Sequence, residues 1–114
     1  MIAQKNIRFF EGDLVNPGDK LEYYSNLHAD IISVQISGGF SSGLFHFEGL
    51  VDTDSDEWVP IAGVNLSDYS IIADPTGAGI WEVPLEGLQR FRVRTETVTG
   101  GTAKVFGRVY AAEG

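Results

Sequence analysis

Cysteine is absent from the 114-residue chain, so neither a disulfide nor thiolate chemistry is open to it. Histidine is nearly absent as well. His28 and His46 are the only two, and without cysteine they cannot build the usual zinc clusters. No nucleophile-elbow pattern occurs, so no candidate nucleophile and base stand out. Positive charge is scarce: eight Lys and Arg against sixteen Asp and Glu leave a formal net charge of −8. Such a body repels a polyanion on average, which argues against a nucleic-acid partner. No apolar run approaches the length needed to cross a membrane. The opening "MIAQKNIRFF" lacks the apolar stretch of a signal peptide. The expectation is a soluble protein folded in a cytosol, with no cofactor, no metal and no enzymatic activity.

A helical stripe of period 3.6 is missing too, whereas period two is everywhere. "DIISVQIS" (30–37) puts Ile32, Val34 and Ile36 on one face. "LFHFEGLV" (44–51) sets Phe45, Phe47, Gly49 and Val51 against Leu44, His46, Glu48 and Leu50. The glycine-rich "GGFSSG" between them predicts a hairpin. "EWVPIAGVN" (57–65), "YSIIA" (69–73) and "GIWEVP" (79–84) follow, parted by "LSD" and "DPTGAG". "LQRFRVRTE" (88–96) and "AKVFGRVYA" (103–111) alternate cleanly, and "VTGGT" between them predicts a second hairpin. "QKNIRFF" (4–10) and "KLEYYSN" (20–26) read as strands joined by an "NPGD" turn. Eight or nine strands about ten residues apart predict one all-β domain over residues 1–114. Its expected architecture is an antiparallel sandwich or jelly roll.

Four groups of residues invite a functional reading, each beside a plainer one. In "VDTDSDEWVPIAGVN" (51–65), Asp52, Asp54 and Asp56 begin like a calcium loop. The loop pattern then requires Gly at its sixth position and Glu at its twelfth; the chain has Glu57 and Gly63 there. The stretch reads instead as a polar tip whose acids repel neighbouring chains. "GGFSSG" lacks the spacing of a phosphate loop and no helix follows it. Trp58, Trp81, Tyr23, Tyr24, Tyr69 and Tyr110 offer the makings of a sugar-stacking platform, with Trp58 and Trp81 as its centre; the same two Trp also suit the sandwich core. Arg90, Arg92 and Arg94 stand on one face of a strand, about 7 Å apart. They either pair with acids such as Glu82, Glu86 or Glu96, or form a strip that docks an acidic patch on another protein or another copy. Asp52, Asp54 and Asp56 of a neighbouring copy are the candidate patch.

From residue 45 onward, "FHFEGLVDTDSDEWVPIAGVNLSD" and "GIWEVPLEGLQRFRVRTETVTGGTAKVFGRV" resemble small β-sandwich structural proteins of tailed bacteriophages and prophages. The shared outline is an aromatic strand, V-D-x-x-x-x-W-V-P-I-A-G, a Trp or Tyr strand, G-L-x-x-F-R-V-R, a Gly/Thr-rich turn and a last strand ending G-R-V. It covers roughly the last 70 residues. At the loop the chain departs from its relatives, which often read Asp-Gly before the Trp where this chain has "DTDSDEW". The resemblance implies a non-enzymatic virion subunit, decorating the head or forming part of a fibre or tail appendage. It also implies multivalent contacts with itself, as a homo-oligomer and a trimer by expectation, and with a capsid or tail protein. The alternative is a carbohydrate-binding module for host-surface glycans, resting on Trp58 and Trp81.

Overall fold

The computed structural model describes residues 7–24, 29–51, 54 and 56–111, and every regular element among them is a strand. In chain order these are β1 (Ile7–Leu14), β2 (Lys20–Tyr24), β3 (Ala29–Ser37), β4 (Ser42–Leu50), β5 (Val59–Pro60), β6 (Gly63–Asn65), β7 (Ile71–Ile72), β8 (Gly79–Pro84), β9 (Arg90–Thr99) and β10 (Ala103–Ala111). They form two antiparallel sheets, one in the order β1-β10-β3-β8-β6-β7 and the other β2-β9-β4-β5. The alternation thus gives an all-β sandwich, and ten strands replace the expected eight or nine because residues 57–65 divide. Val59–Pro60 pairs with β4, the Ile61 amide bonds the Phe47 carbonyl at 2.9 Å, and Gly63–Asn65 then joins β8 in the other sheet. Pro60 has no amide to donate, which confines it to an edge. The expected strand residues 4–6 and 25–26 lie outside the described residues.

Period two places the core. Ile32, Val34 and Ile36 of β3, Trp81 and Val83 of β8, and Val105 and Val109 of β10 face inward from the larger sheet. Phe45 and Phe47 of β4 and Phe91 and Val93 of β9 meet them from the smaller one. Phe47 is fully buried and lies edge-on to Trp81 (5.8 Å between ring centres) and tilted against Phe91 (6.0 Å), so one side chain ties both sheets together. Truncating a buried Phe of this kind costs about 3–5 kcal/mol through lost transfer energy and the cavity left behind.

The two expected hairpins do not form. β3 pairs with β10 and β8, and β4 pairs with β9 and β5, so "GGFSSG" joins strands of different sheets. β9 and β10 likewise lie in opposite sheets. Their two connections sit side by side instead: the Ser41 amide bonds the Thr99 carbonyl at 2.8 Å and the Thr102 amide bonds the Gly39 carbonyl at 3.0 Å. Gly100 and Gly101 have φ of 75° and 145°, and a Cβ on Gly101 would overlap the Gly39 carbonyl. These glycines therefore turn a corner between layers. β6 and β7 do make a hairpin, across 66–70. There the Asn65 side chain accepts the Ser67 amide (2.8 Å), Asp68 accepts the Ser70 amide (3.0 Å), and Tyr69 takes a φ of 61°.

Candidate functional site

The inward phase of β9 is Phe91, Val93 and Thr95, which leaves Arg90, Arg92 and Arg94 on the outer face of the four-stranded sheet. Register then decides their neighbours. Glu22 of β2 and Glu48 of β4 flank Arg92, while Lys20 and His46 flank Arg94, and Tyr24 and Leu50 flank Arg90. Arg90 Nη2 donates to Glu22 Oε1 at 2.8 Å. Glu48 is shared: Arg92 Nε donates to its Oε1 at 2.7 Å, and Arg94 donates through Nε to Oε1 at 3.1 Å and through Nη2 to Oε2 at 2.9 Å. Glu96 pairs with His46 Nε2 at 2.6 Å. The arginines are thus held within the sheet, by Glu22 and Glu48 rather than by the expected Glu82, Glu86 or Glu96.

Glu48 is only 7% exposed, deep for a carboxylate. Burial alone would raise its pKa, but the hydrogen bonds from Arg94 and Arg92, with their charges, outweigh that and hold the carboxyl below its ordinary value. The same bonds push the Arg94 guanidinium up, and the Glu22 bond does so for Arg90, with Asp56 adding a smaller attraction. One buried anion between two cations is a saturated arrangement: all its lone-pair directions with strong donors are used.

Trp58 lies over this network. Its ring centre is 4.1 Å from the Arg92 guanidinium carbon and 4.8 Å from that of Arg90, and the Tyr24 ring lies 5.3 Å from the latter. Stacked cations fix the indole. Beside it opens a cleft of about 620 Å³ lined by Gly49, Leu50, Val51, Glu57, Trp58, Val59, Ile61 and Leu88. The backbone closes its base, since the Leu88 amide bonds the Leu85 carbonyl and the Gln89 amide bonds the Leu50 carbonyl, both at 2.9 Å.

The structure separates the two Trp residues proposed as a sugar platform. Trp81 is 2% exposed against Phe47 in the core, while Trp58 is half-buried under the arginines on the outer face, so the paired platform is not formed. Asp54 and Asp56 are exposed. Asp52, His28 and the side chain of Tyr110 lie outside the described residues. Among the described residues no group of three His, Asp or Glu is placed to hold a metal ion. Sequence reading missed Glu48, Glu22 and the cleft. Glu48 does share the outward phase of β4 with His46, which was the one available signal; its partners lie 44 and 46 residues away.

A two-sheet antiparallel sandwich with a saturated ion network on its smaller sheet and no assembled catalytic group is the fold and site of a binding or structural module. The chain belongs to the XepA family, whose model matches residues 10–109. Its fold is similar to the crystal structure of the SPBc2 prophage-derived protein YomS, with a TM-score of 0.83 and 22% identity over 92% of this chain and 93% of that one. No curated protein matches the sequence.

Proposed function

We propose that this chain is a non-enzymatic structural and interaction protein of a tailed phage or prophage, working as a homo-oligomer that contacts a capsid or tail protein. The XepA family membership and the fold shared with a prophage-derived protein support the phage setting. The observation that carries the interaction role is the outer face of the six-stranded sheet. Ile31, Ile71, Ile80 and Phe106 lie in its outward phase and are between 37% and 69% exposed, and Phe106 and Ile80 flank Gln35 in one cross-strand row. Apolar side chains gathered on one sheet face suit a protein contact better than they suit water.

With Arg90, Arg92 and Arg94 paired inside their own sheet, the self-contact belongs to this opposite face, not to an Arg strip meeting a neighbour's acids. Repetition around a closed ring would turn a modest contact into firm attachment. Light scattering across a concentration series tests it: wild type forms one defined oligomer, and the Ile80→Glu/Phe106→Glu double variant is a folded monomer. A monomeric wild type at every concentration contradicts the oligomer, and absence of antibody labelling on particles from an induced lysogen contradicts the virion location.

A further inference from the structure

The cleft beside Trp58 has a chemistry that the ion network leaves unused. Leu50, Ile61 and Leu88 form its apolar floor, and Val51 and Val59 at its mouth are 65% and 54% exposed. Its indole wall is preformed, because Arg92 and Arg90 stack on Trp58 and are themselves anchored by Glu48 and Glu22. The rim is acidic. Glu57 lines the cleft, Asp54 and Asp56 stand exposed in the same loop, and exposed Glu86 lies in the turn that delivers Leu88. Between residues 51 and 89 the chain has eight Asp and Glu and not one Lys or Arg. The arginines nearby do not neutralise this rim, since three cations (Arg90, Arg92, Arg94) already face three carboxylates (Glu22, Glu48, Glu96) on the sheet.

We infer that the cleft docks a basic peptide segment of a partner protein. One Leu- or Phe-sized side chain enters the cleft against Trp58, and Lys or Arg residues on either side of it meet Asp54, Asp56, Glu57 and Glu86. The charge of the rim selects the occupant: it repels an acidic segment and draws a basic one, more strongly at low salt. The chain's own strip of three arginines is ruled out as occupant because its charges are engaged in the sheet. An apolar anchor gripped by a rigid aromatic wall supplies affinity, and the charged surround supplies selection. The inference names the partner chemistry for the proposed interaction role and rests on that role only in requiring a protein partner.

The test is a titration of ¹⁵N-labelled protein with the blocked peptide Lys-Arg-Phe-Leu-Arg-Lys. Saturable shifts are expected at the Trp58 indole N–H and at the amides of Leu50, Val59 and Leu88, weakening as salt rises. The same peptide with Glu for every cation, or with Ser for Phe and Leu, leaves those signals in place. Val59→Arg, at an exposed edge position, abolishes the shifts, and Asp56→Asn/Glu57→Gln weakens binding about tenfold. The inference is overturned if the basic peptide moves none of these signals, if the acidic peptide moves them equally, or if Val59→Arg binds as wild type does. Labelling of phage particles without peptide binding sinks the cleft and leaves the structural role standing; peptide binding without particle labelling does the reverse.

Discussion

The outer faces of the two sheets are built from the same alternation and reach opposite states. On the four-stranded sheet the outward residues are charged, and β2, β9 and β4 bring them into register, so Glu22, Glu48, Arg90, Arg92 and Arg94 satisfy one another under Trp58. On the six-stranded sheet the outward residues are a mixture of Ser33, Gln35, Ile31, Ile80 and Phe106, and the apolar ones stay open to solvent. The charged face looks like the natural docking surface in the sequence, yet its charges are already engaged. The unremarked face keeps its contacts available. Charge advertises an interaction only where register leaves it unpaired.

The largest effect that would break this contrast comes from Glu48. Glu48→Ala leaves Arg92 and Arg94 facing each other across a nearly dry position, and we expect a loss of about 3 kcal/mol in urea unfolding. Gln35→Ala, on the matching central strand of the other sheet, should change stability by less than about 0.5 kcal/mol. Equal losses at the two positions would erase the distinction between the faces.

Acid probes the same network. Glu48, Asp19 and Asp68 all have folded pKa values below their ordinary 4.5, 3.8 and 3.8, the last two because backbone amides of Val15, Asn16 and Ser70 donate to them. The unfolded chain therefore takes up protons first as pH falls. Their stabilisation is complete above the ordinary carboxylate range and is lost as pH drops through the folded values. Glu48→Gln should flatten that acid limb in a pH series of melting temperatures; a parallel limb would show that Glu48 contributes nothing to it.

Two smaller effects sharpen the picture. Trp58→Ala removes the stack on Arg92 and should cost about 1 kcal/mol in the same unfolding assay, with Arg92 becoming more accessible. Tyr69→Gly should gain about 1 kcal/mol, because Tyr69 holds a φ of 61° while 75% exposed, so strain is relieved and little packing is lost.

The sequence made the strands legible because burial on one face imposes period two; β8 and β10 have the bounds that alternation suggests. It did not reveal which sheet a strand joins. Glycine turns such as "VTGGT" reverse the chain whether the next strand lies beside the last or across the core, and here Gly100 and Gly101 carry it across. The same blindness hid the site. Arg90, Arg92 and Arg94 were visible as an outward row, but the pairing of β9 with β4 and β2 is a long-range property, so Glu48 and Glu22 were invisible as partners while the nearby Glu82, Glu86 and Glu96 drew attention. Trp58 shows no periodic signal at all: it precedes β5 in a loop, and only the folded loop sets its ring over the arginines.

The absence of cysteine makes the two faces directly comparable by chemical labelling. A single thiol is introduced by Ile80→Cys on the six-stranded sheet or by Lys20→Cys on the four-stranded one, and its rate of reaction with a polar maleimide is measured in the assembled protein and after dilution. Protection of the thiol at position 80 that disappears on dilution, with position 20 equally reactive throughout, is the predicted result. Protection at position 20 with an unprotected position 80 would place the contact on the charged face and contradict the account.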